Sequence, residues 1–130
     1  MNPVAALARR YAEAYRESWL AGDARRAAAL YAPECRFRSS PFRALEDPVA
    51  YTLRVLLEAK ATRVWFGEPL VIDDERVVLE WWAQLVEDGD PSILTGTDVM
   101  RFEPGGAVTE VRSIWTAAQG HPEPPPGWGR

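Results

Sequence analysis

The amino-acid sequence predicts an α+β fold, in which three N-terminal helices lie across a long, curved, mainly antiparallel sheet. Up to about residue 60 the apolar side chains recur every three or four positions, the period of a helix with one buried face. Beyond that point they recur every second position, in long runs separated by acidic, glycine or proline turns, the period of strands joined in a meander. Size sets the rest: 130 residues, 47% hydrophobic and 26% charged, make one globular domain.

The elements follow in order. Asn2 and Pro3 open the first helix as a cap followed by proline at the first helical position. Its apolar seam runs Val4, Leu7, Tyr11, Tyr15, Trp19. Gly22 suits a left-handed helix end, and Asp23 caps a short second helix, "ARRAAALYA", that stops at Pro33. "CRFRSSPF" reads as a strand with Cys35, Phe37 and Ser39 on one face and Arg36 and Arg38 on the other. Asp47 and Pro48 repeat the capping signal and begin a third helix that runs to about Lys60. Four strands follow: "TRVWFGEPLVI", "RVVLEWWAQLVE", "SILTGTDVMRF" and "AVTEVRSIW". The domain spans residues 1–116, and residues 117–130 form a Pro/Gly-rich tail outside regular structure. Its Trp128 is either a lid over a pocket mouth or part of a disordered end. A twisted sheet of this length curls, and helices across its concave side enclose a cone whose apolar interior suits a small molecule.

Composition removes several function classes. The net charge is -4 and the arginines are dispersed, which argues against nucleic acid as a partner. One cysteine, Cys35, excludes an internal disulfide, and with one histidine, His121, it argues against a His/Cys metal site, so no metal is expected. Arg9, Arg10 and Glu13 interrupt the N-terminal segment, so it reads neither as a signal peptide nor as a membrane span, and a cytoplasmic location is the expectation.

One residue breaks the pattern. In "SILTGTDVMRF", Leu94, Gly96, Asp98, Met100 and Phe102 share a face, so a carboxylate stands in an otherwise apolar row. In a dry cavity, desolvation raises its pKa, and a neutral Asp98 can donate a hydrogen bond to a ligand oxygen. A four-residue turn at 103–106 pairs Asp98 with Val111 and puts Met100, Ser113 and Trp115 on the Asp98 face. Tyr15, with Trp19 beside it in the helical seam, supplies a phenol that needs a partner. Phe37, Phe42 and Trp65 are candidate aromatic walls. "LEWWAQ" leaves two alternatives. Either Val77, Leu79, Trp81, Ala83 and Leu85 face the helices, or the mixed row of Val78, Glu80, Trp82, Gln84 and Val86 does, which would make Glu80 a general base. Whichever row looks outward carries a tryptophan and marks a homodimer surface.

Over residues 7–116 the chain resembles the nuclear transport factor 2-like superfamily, and within it the SnoaL-like and ketosteroid isomerase-like branch. The segments that carry the likeness are "YRESWLAGDARRAAALYAPECRFRSSPF", "DVMRF" and "AVTEVRSIW". The resemblance implies a cystatin-like α+β barrel, no cofactor, and a pocket for a small apolar molecule bearing a carbonyl or enolisable oxygen. Ketosteroid isomerases hold a dienolate oxygen with a helix tyrosine and a strand aspartate, which correspond here to Tyr15 and Asp98. The isomerase base falls at Ser39 or Ser40, and the acid–base carboxylate of SnoaL-like cyclases falls at Ser113. The resemblance therefore implies either a cofactor-free isomerase-, cyclase- or hydratase-like proton-transfer enzyme or a noncatalytic dimerisation or ligand-sensing module.

Overall fold

The structure is a computed structural model and describes residues 3–130. Helix α1 spans Pro3–Ala21. The cap expected at Asn2 lies outside the described residues. The seam packs as its spacing requires, with Val4, Tyr11 and Trp19 buried and Leu7 and Tyr15 partly so. Gly22 ends the helix in the left-handed region at φ 67°. Asp23 then accepts the Arg25 backbone N–H at 3.0 Å and starts α2, Ala24–Ala28. α2 ends well short of Pro33, because Leu30 and Tyr31 are drawn into strand pairing: Val108 N–H donates to Leu30 O, and Tyr31 lies opposite Val108. Pro33 therefore sits inside β1, Tyr31–Arg38. β1 is an edge strand whose pairing is interrupted between Tyr31 and Arg36, which is where a residue lacking an N–H is tolerated.

Asp47 caps α3, Pro48–Glu58, through the Val49 N–H at 3.3 Å. The segment read as one strand is two: β2, Lys60–Phe66, and a short β3, Leu70–Val71, separated at Gly67–Pro69. β4 spans Arg76–Glu87, β5 Asp90–Phe102 and β6 Val108–Gln119. The sheet order is β1-β6-β5-β4-β2, with β3 on β4; β1 runs parallel to β6 and the other pairs are antiparallel. The sheet curves round the helices but stays open, with β1 and β2 as its edges.

The β4 alternatives resolve in favour of the apolar row. Val77, Leu79, Trp81, Ala83 and Leu85 are buried against the helices, so Glu80 and Trp82 face the other side of the sheet. The β5–β6 hairpin pairs Asp98 with Ser113 rather than Val111, because the loop is longer than four residues and the register shifts again between Arg101 and Phe102. The two steps together move the register by two, which keeps Met100, Ser113 and Trp115 on the Asp98 face and turns Val108 into the core.

β6 also continues past Trp115 to Gln119, because the long β5 still offers Ser92 to Leu94 as partners. The chain beyond it is irregular but docked. Trp82 Nε1 donates to Pro122 O at 3.0 Å, Gln84 Nε2 donates to His121 O at 3.0 Å, and Trp128 meets Trp82 edge-on at 6.0 Å. Trp128 is thus no lid over the hollow; it covers the outward tryptophan of its own chain. Truncation after Gln119 strips these contacts and is expected to lower the melting temperature by several degrees, from loss of roughly 1–2 kcal/mol. Tryptophan emission should shift to the red as Trp82 meets water. An unchanged spectrum would show that the tail does not cover it.

Candidate functional site

Between the concave sheet and the helices lies a hollow of about 40 Å³. α1 contributes Tyr11, Tyr15 and Trp19, one turn apart along its seam, and α3 contributes Tyr51 and Val55. From the sheet come Phe37, Phe66, Trp81 and Leu94, with Ser39 just past β1. Asp98, Ser113 and Trp115 complete it. The rings form a linked set. Tyr15 stacks on Tyr11 at 5.6 Å and meets Trp19 and Phe66 edge-on, while Trp19 meets Trp81 at 6.1 Å.

Asp98 is the sole carboxylate among the described lining residues. Trp81, opposite Gly96 on the neighbouring strand, lays its ring over that glycine and donates its Nε1–H to Asp98 Oδ1 at 3.0 Å. The Ser113 hydroxyl, directly across on β6, is a second hydrogen-bond partner. Burial raises the Asp98 pKa from 3.8 to about 6, and the bonds from Ser113 and Trp81 pull the other way. With that pKa the ionised form predominates at neutral pH. The direction is the one expected from the sequence, and the neutral, hydrogen-bond-donating Asp98 is the main form below about pH 6.

The Tyr15 hydroxyl pairs with the Thr52 side chain, and its pKa is driven well up, first by burial and then by the nearby Tyr51 and Asp98. Tyr11 and Tyr31 share a hydroxyl–hydroxyl bond at 3.0 Å. At the rim Trp115, 41% exposed, donates Nε1–H to Ser39 O at 2.7 Å and so ties β6 to the end of β1. The Ser39 hydroxyl donates to Glu46 Oε1 at 2.8 Å, and Arg43 and Arg54 both bridge Glu46.

The expected residues divide cleanly. Tyr15, Asp98, Trp19, Phe37, Ser39, Ser113 and Trp115 come together around the hollow. Five others do not. Glu80 and Trp82 are on the outer face of β4. Trp65 pairs with Trp82 on that face and stacks on Arg63, because a register shift between Ala61 and Arg63 turns Phe66 inward in its place. Phe42 is 98% exposed at the tip of the turn closed by Arg43 N–H to Ser40 O. Met100 points the same way as Asp98 but is packed in the core beside Val77 and Val111. The sequence reading also missed Trp81, Phe66, Tyr51 and Gly96 as parts of the site. The pairing of a strand Trp with a Gly on its neighbour was the available signal.

Several solved structures share this fold. The epoxide hydrolase/cyclase-like enzyme SalBIII, of pyran ring formation in the polyether salinomycin, superposes with a TM-score of 0.73 at 11% identity, covering 92% of this chain and 99% of that one. Rv0760c from Mycobacterium tuberculosis gives 0.72 at 16% identity, covering 88% and 96%. A computationally designed 17-OHP binder gives 0.67 at 17%, covering 88% and 98%. No curated protein sequence matches the chain. The family model of the SnoaL-like domain matches residues 9–111, most of the chain, and the helices, open curved sheet and enclosed hollow agree with that match: the protein belongs to the SnoaL-like domain family.

Proposed function

We propose that the hollow binds the oxygen-bearing end of a small, largely apolar carbonyl or enolisable compound, and that Asp98 acts on it as a cofactor-free proton acceptor and donor. One observation carries this reading: a single carboxylate in an aromatic box, with a pKa of about 6 caused by burial. A base titrating near the working pH combines availability of the ionised form with useful basicity. Two hydrogen bonds fix its orientation, and Tyr15 stands across the hollow as a further polar contact. The serines at the two positions where the family resemblance looks for a base leave Asp98 as the group able to do this work.

The hollow limits what enters. Its 40 Å³ is far below the roughly 150 Å³ that holds a benzene ring. A ring-bearing ligand therefore places only its polar end inside unless the Trp115 rim swings away. A computationally designed 17-OHP binder shares this fold, which supports a ligand-binding use of the hollow. Hydrogen–deuterium exchange at the methyl group of acetophenone in D₂O, followed by proton NMR, tests the catalytic part. Exchange should rise through an apparent pKa of about 6 and fall to the solvent rate in Asp98→Asn. Equal exchange in both proteins would remove Asp98 from the chemistry.

The narrowness of the hollow also supports a second reading, a noncatalytic module whose cavity is filled by its own aromatic side chains. Exchange at the solvent rate in the parent protein would favour it.

A further inference from the structure

Trp19 carries the one buried side-chain polar atom without a hydrogen-bond partner among the described residues, its indole Nε1. The residue is only 8% exposed, and buried donors in folded proteins are almost always paired. Each of the tryptophans facing the same space has found an acceptor: Trp81 uses Asp98 and Trp115 uses Ser39 O. On one side of Trp19 the side chains of Ser18, Ala27, Thr52 and Leu56 close up too tightly to admit a water molecule. On its other side the Trp19 side chain lines the hollow.

We infer that the Trp19 indole N–H is a donor subsite of the hollow, reserved for an acceptor oxygen of the ligand. The inference rests on the pocket reading above and narrows it. Asp98, ionised at neutral pH, accepts; Trp19 donates. Trp81 lies between them, its ring 6.1 Å from that of Trp19 and its Nε1 3.0 Å from Asp98 Oδ1. The two anchors are thus of opposite hydrogen-bonding sense, with the Trp81 ring in contact with both. The matching ligand carries a carbonyl or ether oxygen at one end and a hydroxyl or acidic C–H at the other, as a hydroxyaryl ketone does. A ligand with an acceptor alone satisfies Trp19 and leaves Asp98 to its present partners; one with a donor alone does the reverse.

Indole N–H resonances report this directly. A ¹H–¹⁵N spectrum of the uniformly labelled protein resolves the tryptophan side chains, and Trp19→Phe, Trp81→Phe and Trp115→Phe assign three of them. 4-Hydroxyacetophenone, acetophenone and phenol are titrated in turn. The Trp19 resonance should move downfield with the two ketones and stay in place with phenol. Trp19→Phe should weaken the ketones about tenfold, the worth of one hydrogen bond, and leave phenol unchanged. Movement of the Trp81 or Trp115 resonance without Trp19 would overturn the subsite and keep the pocket. A Trp19 resonance that responds equally to phenol would also overturn it. If none of the three moves with any probe at saturating concentration, the pocket reading itself fails and the subsite falls with it.

Discussion

The Asp98→Asn variant is expected to melt higher than the parent protein above pH 6 and at the same temperature near pH 3.5. The cause is the cost of keeping a charge in the hollow. In the unfolded chain an aspartate ionises near 3.8; in the fold, burial moves that to about 6. Below the lower value both states hold the proton and the group is neutral to stability. Between the two values the unfolded chain has lost its proton and the fold has not, so stability falls as pH rises. Above about 6 the whole difference is in force, on the order of 3 kcal/mol against folding. Asparagine keeps a carbonyl for the Trp81 N–H and removes the charge, so this penalty disappears. For a domain of this size the gain at pH 7.5 is about 10 °C. The measurement is a pair of melting curves across pH 3.5–8, and the decisive quantity is the gap between them. A constant gap would mean that Asp98 titrates as an exposed aspartate and that the hollow is wet. A gap that opens with pH as expected would favour the proposed role of Asp98 over a purely structural one.

How far the sequence reveals this site depends on what kind of information each residue carries. Tyr15, Trp19 and Asp98 were legible because periodicity fixes which face a side chain occupies, and a carboxylate in an apolar row is conspicuous. The caps at Asp23 and Asp47 were legible because capping is local chemistry, complete within three residues. Whatever depended on register across strands was not. Trp65 and Phe66 exchange roles because one irregularity in β2 reverses its alternation, and no signal within β2 announces it. Met100 was given the right face and the wrong depth, since depth along a strand depends on what the helices place above it. The docked tail is the clearest case. Its composition reads as disorder, yet Trp82 and Gln84 on β4 supply donors for its backbone carbonyls, and those lie about forty residues away in sequence. Single-chain patterns report faces, and the hollow is made from meetings between faces.

Gly96→Ala is expected to be the most damaging single-methyl change in the protein. Gly96 lies mid-sheet, between Trp81 on β4 and Trp115 on β6. Its backbone is not left-handed, so conformational freedom is not the reason for glycine there. Space is. A methyl at this position meets Ile114 O at 2.5 Å, the Trp115 Cβ at 2.8 Å and the Trp81 Cζ2 at 2.8 Å. Two of these are fixed by the β5–β6 ladder, so relief requires the strands to part or the Trp81 ring to leave. Overpacking of this kind costs roughly 3 kcal/mol, a fall of about 10 °C in melting temperature. The second consequence is specific to the site. If the Trp81 ring is pushed off Gly96, its N–H leaves Asp98, the ionised form loses one of its two stabilising bonds, and the Asp98 pKa climbs further above 6. Carbon-detected NMR of the carboxyl group follows that titration directly. Gly105→Ala is the control, since a methyl there meets nothing within 4 Å, and it should change stability by less than about 0.5 kcal/mol. Loss of stability with an unmoved Asp98 titration would mean that the strands part and the tryptophan stays, so the glycine serves the sheet alone. A protein indifferent to the methyl would contradict the crossing of ring over backbone on which the geometry of the hollow is built.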